Sequence, residues 1–193
     1  MIRAALETAR ADLPQGADPR VLDLLSEHWE LVRAWNLRVN LTSIEDEVDA
    51  AWLHYRDSLE ALRVLVPGDI TDLGSGGGYP GIPLAIAEPR RQVTLVEPRR
   101  KRVSFLVTAV ARLGLDNVKV LEARSVDAPR ELSANVVTRA TFSDVRDLRA
   151  CEKWLTPGGR LIAFRSDRSG DVGARAHLYR LRDETRVLEI WGA

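Results

Sequence analysis

The sequence predicts an α/β protein: a mainly parallel sheet ending in an antiparallel hairpin, preceded by a small helical part. Three observations carry this. Residues 1–66 place their apolar side chains at helical spacing. From Ile70 onward, short apolar runs alternate with amphipathic stretches, the pattern of right-handed βαβ units around a buried parallel sheet. Between the first apolar run and the helix after it lies a glycine-rich loop, Gly74-Ser75-Gly76-Gly77-Gly78. The chain accordingly divides into an N-terminal helical region, 1–66, and a sheet domain, 67–193.

Asp18-Pro19 reads as an N-cap followed by proline at the first helical position, with Leu22, Leu25, Trp29 and Val32 on one face. A second helix is expected to start at Thr42 or Ser43, where Glu45, Asp46 and Glu47 suit the positive end of its dipole. It should end near Leu65, before Pro67-Gly68. Strands are expected at Ile70–Leu73, Val93–Val96, Val118–Leu121, Asn135–Thr138 and Arg160–Phe164. Helices are expected at Ile82–Ala87, Arg100–Leu113 and Asp144–Leu155. Pro157-Gly158-Gly159 reads as a turn from helix to strand, and Ser166–Gly173 as a polar connection. Ala176–Leu181 and Arg186–Trp191 flank Asp183-Glu184 as a hairpin.

At 193 residues, 45% hydrophobic and 29% charged, the chain has the composition of a folded domain rather than a disordered one. No apolar run approaches the roughly 18 residues of a membrane span, and the N-terminus lacks a secretory apolar core. A cytoplasmic protein without membrane partners is therefore expected. The single cysteine, Cys151, rules out an intrachain disulfide and a cysteine-built zinc site, and no metal site is expected. The 28 basic and 28 acidic residues cancel, but unevenly: residues 1–60 hold 6 Arg against 12 acids. Arg90, Arg91, Arg99, Arg100, Lys101 and Arg102 surround one acid, Glu97. A local basic stripe attracts phosphates even on a neutral molecule.

Asp72-Leu73-Gly74-Ser75-Gly76-Gly77-Gly78-Tyr79-Pro80-Gly81 sits where open α/β sheets bind nucleotides, outside the carboxyl end of a strand. Its glycines let the backbone turn tightly and a ligand approach closely. Glu97, 21 residues after Gly76 at the next strand end, can accept both hydroxyls of a ribose. A dinucleotide would place its pyrophosphate on the helix N-terminus. S-adenosylmethionine has no phosphate and carries an ammonium group on its amino-acid end. Asp72 would repel the first ligand and can position the second. Pro80 and Pro83 also remove backbone donors that a pyrophosphate would use. The loop chemistry favours S-adenosylmethionine.

With these residues in view, the sequence resembles the bacterial 16S rRNA guanine-N7 methyltransferases, the glucose-inhibited division protein B family. The matching stretches are Trp35-Asn36, Asn40-Leu41-Thr42-Ser43, His54 with Asp57-Ser58, and the loop from Asp72 to Leu84 in its Gly78-x-Pro80-Gly81-Ile82-Pro83 form. Lys101-Arg102-Val103, Phe105-Leu106, Arg139-Ala140 and Pro157-Gly158-Gly159-Arg160-Leu161 continue the match. The resemblance implies a Rossmann-like class I methyltransferase fold and methyl transfer from S-adenosylmethionine to a guanine N7 of 16S rRNA. The substrate would be the free RNA or the 30S subunit, and the enzyme a monomer. Carried over by position, the family's cofactor contacts fall on Gly74, Tyr79, Glu97, Ser125, Val126 and Arg139, with Gly76 and Gly78 completing the loop. Arg99, Arg100, Lys101, Arg102 and Arg165 are the expected RNA contacts. The sequence departs from the family at Val126, where a glutamate is usual, and at Arg165, where a lysine is usual. It also has a shorter connection between Arg165 and Ala176, from which one sheet face is expected to be either less covered or covered by a partner chain.

Guanine N7 presents a lone pair and carries no proton, so attack on a sulfonium methyl needs alignment rather than a general base. Arg139, after a strand end that faces the crevice, is the one catalytic candidate, as a holder of cofactor or substrate phosphate. His54 and Asp57, three apart on a helix, read as a helix-to-domain hydrogen bond rather than a catalytic or metal pair. Asn36 and Asn40 read as turn caps, Trp29, Trp35 and Trp52 as packing, and Cys151 as a small core residue.

Overall fold

The computed structural model describes residues 2–9, 18–127, 129, 131–139, 142, 144–167 and 171–192. Seven strands form one sheet in the order β3-β2-β1-β4-β5-β7-β6. They are β1 (Ile70–Leu73), β2 (Val93–Glu97), β3 (Val118–Glu122), β4 (Ser133–Arg139), β5 (Leu155–Arg165), β6 (Arg175–Leu181) and β7 (Glu184–Gly192). Strands β1 to β5 pair in parallel, while β7 runs antiparallel to both β5 and β6. The order reverses at β1: its register places Asp72 beside Leu95 of β2 on one side and Val137 of β4 on the other. Crossovers leave in opposite directions at such a point and open a crevice at the strands' carboxyl ends.

Helices α1 (Ile2–Ala9), α2 (Pro19–Asn36), α3 (Glu47–Ala50), a π-helix (Ala51–Arg56), α4 (Asp57–Leu59) and a 3₁₀ turn (Glu60–Arg63) precede the sheet. Helices α5 (Gly81–Ala87) and α6 (Arg100–Leu113) form the first two crossovers, and α7 (Val145–Arg149) continues as a 3₁₀ turn (Ala150–Trp154) into β5. Asp18 caps α2 as the sequence indicates, its side chain accepting from the Arg20 N–H at 2.9 Å. Gly114, left-handed at φ 62, ends α6.

Several boundaries differ from expectation. The second helical segment starts after Asp46, not at Thr42 or Ser43. Asp46 Oδ1 accepts from the Val48 and Asp49 N–H groups, whereas the Thr42 hydroxyl is engaged by the Ile44 N–H and His54 Nε2. The helix expected over Asp144–Leu155 stops at Arg149 and tightens to 3₁₀ geometry through Trp154. Pro157-Gly158-Gly159 is no free turn: it is a bulge inside β5, where register jumps from Ser133↔Leu155 to Asn135↔Arg160. The backbones of Gly159 and Gly192 meet there so closely that a Cβ on Gly192 would lie 2.2 Å from the Gly159 carbonyl oxygen. The tail is a hairpin as expected, but its turn is Arg182-Asp183, with Arg182 at φ 54.

Two apolar clusters flank the sheet. The larger joins Leu22, Leu25, Trp29 and Val32 of α2 and Tyr55 of the π-helix to Ile82 and Leu84 of α5, Phe105 and Leu106 of α6, and Leu95 of β2. Helical region and sheet thus share one core, each fully buried aliphatic or aromatic side chain contributing about 1.5–3 kcal/mol. The smaller cluster, on the opposite face, contains Leu73, Val96, Val136, Leu148, Cys151, Trp154, Leu161, Ala163 and Trp191. Two indoles close this face where the Arg165–Ala176 connection is short. Trp154 Nε1 donates to the Ser125 carbonyl at 2.8 Å, and Trp191 Nε1 to Asp171 Oδ2 at 3.0 Å. Leu178 on β6 stays 60% exposed. Cys151 is a buried packing residue, and burial pushes its thiol up to about 11.

Candidate functional site

The glycine loop leaves β1, turns through left-handed Gly74, Gly76 and Gly78, and enters α5. Gly78 is irreplaceable on local grounds: at φ +88, a Cβ there would lie 2.5 Å from Ile82 Cδ1. Gly81 lets α5 press on the sheet, since a Cβ would meet Leu95 Cδ2 at 2.3 Å and Asp72 Oδ2 at 2.7 Å. Gly76 is different, for a Cβ there meets nothing nearer than 3.7 Å.

Two carboxylates bracket this loop. Glu97 ends β2; its Oε2 accepts from the Gly76 N–H at 3.0 Å and its Oε1 from the Arg99 N–H at 2.9 Å. Each oxygen keeps lone-pair capacity for a further donor. Asp72 lies behind the loop, fully buried, with Oδ2 accepting from the Gly81 N–H at 3.0 Å and Oδ1 without a hydrogen-bond partner. Burial pushes its carboxyl up to about 7. An orphaned carboxylate oxygen behind the loop fits an ammonium group.

Tyr79, the loop's only aromatic side chain, is held on every side. His54 stacks on its ring at 4.2 Å, and the Arg139 guanidinium carbon lies 5.2 Å from the ring centre. Its hydroxyl donates to Tyr55 at 3.1 Å, and Tyr55 in turn bonds His28 Nδ1 at 3.0 Å. Burial lowers His28 to about 3, while burial and then the Arg139 charge lower His54 to about 2, so both imidazoles are neutral at pH 7. Arg139 has only donors, so His54 Nδ1 at 3.5 Å from Nη2 is the acceptor, and His54 Nε2–H donates to Thr42 Oγ1 at 2.7 Å.

Arg139, at the end of β4, is gripped by the helical region. Its Nη1 lies within 3.4 Å of the Leu53 and His54 carbonyls, Asp57 Oδ2 and Ser58 Oγ. These carbonyls belong to the π-helix Ala51–Arg56, and the His54 carbonyl also accepts from the Asp57 N–H. His54 and Asp57 thus do face the sheet domain, joined through Arg139 rather than to each other.

The remaining predicted residues are distributed unevenly. Arg99, Arg100 and Lys101 are exposed at the start of α6, and Arg102 Nη2 donates to the Asn40 carbonyl at 2.7 Å beside the glycine loop. Arg90 and Arg91 do not join them. They precede β2, at the amino ends of the parallel strands and so opposite the glycine loop, where Arg91 bonds Glu88 and the carbonyls of Val66 and Gly68. Ser125 and Val126 follow β3 on the crevice edge; Val126 is 68% exposed. Arg165, the last residue of β5, pairs with buried Glu189 at 3.5 Å. A cavity of about 710 Å³ lined by Leu24, Leu59, Leu62, Ile86, Pro89 and Leu115 lies at the far edge, beyond the carboxyl ends of α5 and α6. Among the described residues no cluster of His, Cys, Asp and Glu could hold a metal ion, and no helix is long and apolar enough to cross a membrane. Sequence reasoning did not anticipate Tyr179, Tyr55 or His28, which enter through contacts 24 to 122 residues apart.

A glycine loop and strand-end carboxylate at the reversal point of a 3-2-1-4-5-7-6 sheet, with the seventh strand antiparallel, define a Rossmann-like class I methyltransferase domain. The family model for rRNA small subunit methyltransferase G (GidB) matches residues 22–180, and the chain belongs to that family. It is 36% identical over 187 residues to the ribosomal RNA small subunit methyltransferase G of Myxococcus xanthus, covering 93% of this chain and 82% of that protein. The enzyme of the same name from Neisseria meningitidis serogroup C is 37% identical over 147 residues, 76% of this chain and 69% of the relative. In fold the chain resembles a variant of MtNAS solved in complex with S-adenosylmethionine. The TM-score is 0.61 at 15% identity, covering 89% of this chain and 72% of that one.

Proposed function

We propose that the chain transfers a methyl group from S-adenosylmethionine to a guanine N7 in 16S rRNA, acting in the cytoplasm as a monomer on the free RNA or the 30S subunit. The observation that carries this reading is the glycine loop bracketed by Asp72 and Glu97, in a chain of the rRNA small subunit methyltransferase G family. Residues 67–193 supply the cofactor crevice, with residues 1–66 packed against it.

The bound cofactor supplies an electrophilic methyl on a sulfonium. Bound there, it would offer that methyl to the N7 lone pair, a C–N bond replacing the C–S bond whose electron pair stays on sulfur; no proton moves, so no general base is required. The chain's own residues bind and align. Gly74, Gly76 and Gly78 admit the amino-acid end, and the Asp72 carboxylate draws its ammonium. Glu97 accepts from the ribose hydroxyls. Ser125 and Val126 border the adenine through the backbone, since Val126 has no polar side chain. Arg139 holds Tyr79 at the crevice wall. Arg99, Arg100, Lys101 and Arg102 flank the entrance and, with Arg165, meet RNA phosphates.

Purified protein incubated with methyl-labelled S-adenosylmethionine and either 30S subunits or naked 16S rRNA should label the RNA. Cofactor binding without transfer to either overturns the reading. The apolar, exposed Val126 and the short connection after Arg165 favour one second reading, the same chemistry on another RNA or a small molecule. A methylated 16S guanine that disappears when the gene is deleted excludes it. A non-catalytic cofactor-binding protein would bind without transferring to any acceptor.

A further inference from the structure

Three elements far apart in sequence converge on one buried carboxylate. Asp57 of α4 is 2% exposed; its Oδ2 accepts from Arg139 at 3.1 Å and its Oδ1 from the Tyr179 hydroxyl at 2.5 Å. Tyr179 lies on β6, in the C-terminal hairpin, 122 residues away. Burial, reinforced by the Asp57 charge, holds its phenol well above the ordinary range, so it remains a donor. The hairpin is fixed against the helical region at two further points. His177 Nε2 meets Glu60 Oε1 at 2.8 Å, and Arg182 Nη1 meets Asp49 Oδ1 at 2.6 Å. The phenol therefore reaches Asp57 from a defined position.

A carboxylate held at both oxygens cannot turn. Without the Tyr179 hydroxyl, buried Oδ1 would lose its donor, and the group would swing or admit water to recover one. Either response moves the charge that Arg139 faces. Arg139 in turn lies over Tyr79, the residue between Gly78 and Pro80 of the glycine loop.

We propose that Tyr179, acting through Asp57, is a positioning residue for Arg139 and for the Tyr79 ring beneath it, so that the C-terminal hairpin sets the shape of the cofactor crevice. The proposal rests on the reading of that crevice as the S-adenosylmethionine site. Tyr179 and Asp57 act through Arg139 and are positioning residues, not catalytic ones.

A double-mutant cycle tests it, with S-adenosylmethionine and S-adenosylhomocysteine titrated calorimetrically, to millimolar ligand, into wild type, Tyr179→Phe, Arg139→Ala and the double variant. Tyr179→Phe should weaken binding about five- to tenfold in the wild-type background. It should weaken binding less than about twofold once Arg139 is alanine, because residues that act through one another are not additive. A hairpin that merely supports the fold would lower Tm and change affinity equally in both backgrounds. That result overturns the proposal, as does unchanged affinity in Tyr179→Phe. Leu178→Ala, on the same strand but exposed, should leave affinity unchanged. If Tyr179→Phe does not fold, Asp57→Asn replaces it in the cycle: it keeps an acceptor for Tyr179, loses the charge facing Arg139, and is held to the same two outcomes. No heat with wild-type protein would overturn the cofactor-site reading itself, and that failure is visible before any variant is made.

Discussion

The Gly81 N–H donates to Asp72 Oδ2 at 3.0 Å, and that single bond orients a carboxyl group otherwise sealed from solvent. The same contact explains why residue 81 is glycine and why the loop can turn so close to β1. Among the described residues, Asp72 Oδ1 is a buried side-chain oxygen left without a hydrogen-bond partner.

Asp72 therefore makes both stability and binding pH-dependent. Its folded value, about 7, lies above the 3.8 of an exposed aspartate, so the native state binds the extra proton between those values. Stability from this group is complete below pH 3.8, is lost as pH rises towards 7, and is level above it. Cofactor affinity should run the opposite way, because the ammonium needs the carboxylate. If only the ionised form binds, affinity rises about tenfold from pH 6 to pH 8. Asp72→Asn should bind more weakly and show neither trend; calorimetry and thermal unfolding across that range read both.

Gly76 and Gly78 separate binding from folding. A side chain at Gly76 has room at its Cβ, so Gly76→Arg should still fold, at a cost of about 1–2 kcal/mol for the left-handed φ of +55, and lose S-adenosylmethionine binding. Gly78→Ala collides with Ile82 and should lower stability by about 1–3 kcal/mol, as forced overpacking does. Circular dichroism melts beside cofactor titrations distinguish them; retained binding in Gly76→Arg would place the site elsewhere.

On the proposed reading, the exposed bases at the start of α6 serve RNA electrostatically rather than lining the cofactor pocket. Replacing Arg99, Arg100 and Lys101 together by alanine should weaken 16S rRNA binding and reduce its salt dependence by a log–log slope of roughly 2 to 3. Cofactor affinity should stay within about twofold. Filter binding at several salt concentrations measures this, and an unchanged slope removes these residues from the interface.

How far the sequence discloses this arrangement depends on the range of the interaction. Strand β1 and helix α6 are read to their exact ends, Ile70–Leu73 and Arg100–Leu113, because local signals bound them: Gly68 and Gly74 for one, Gly114 for the other. Thr42, Ser43 and Asp46 are all good N-caps, and the Thr42 hydroxyl is instead taken by the Ile44 N–H and by His54, twelve residues on. Pro157-Gly158-Gly159 carries every mark of a turn, yet its pairing with Gly192, remote in sequence, keeps it in the sheet. The glycine loop and Glu97 are legible as a site because β1, loop, α5 and β2 are contiguous. The grip on Arg139 is not, since Asp57 lies 82 residues before it and the π-helix leaves no clear periodic signature.

The buried Glu60 shows the same long-range logic in stability. It is 2% exposed and meets Arg56, itself 5% exposed, as well as Arg63 and His177. Taking two charges out of water costs about as much as their attraction returns, so the pair as a whole adds little. Removing one partner is another matter. Glu60→Ala leaves the Arg56 guanidinium buried without its counter-charge and should cost about 3–5 kcal/mol. For a chain of this size that lowers Tm by at least 6 °C, at about 2–4 °C per kcal/mol. The double change Arg56→Met with Glu60→Leu should recover most of the loss. Lys119–Glu131 is the contrast: its side chains are 61% and 69% exposed, and Lys119→Ala should move stability by no more than about 1 kcal/mol. Urea unfolding of the variants decides between these outcomes, and a Glu60→Ala protein as stable as wild type would mean that water already reaches Arg56.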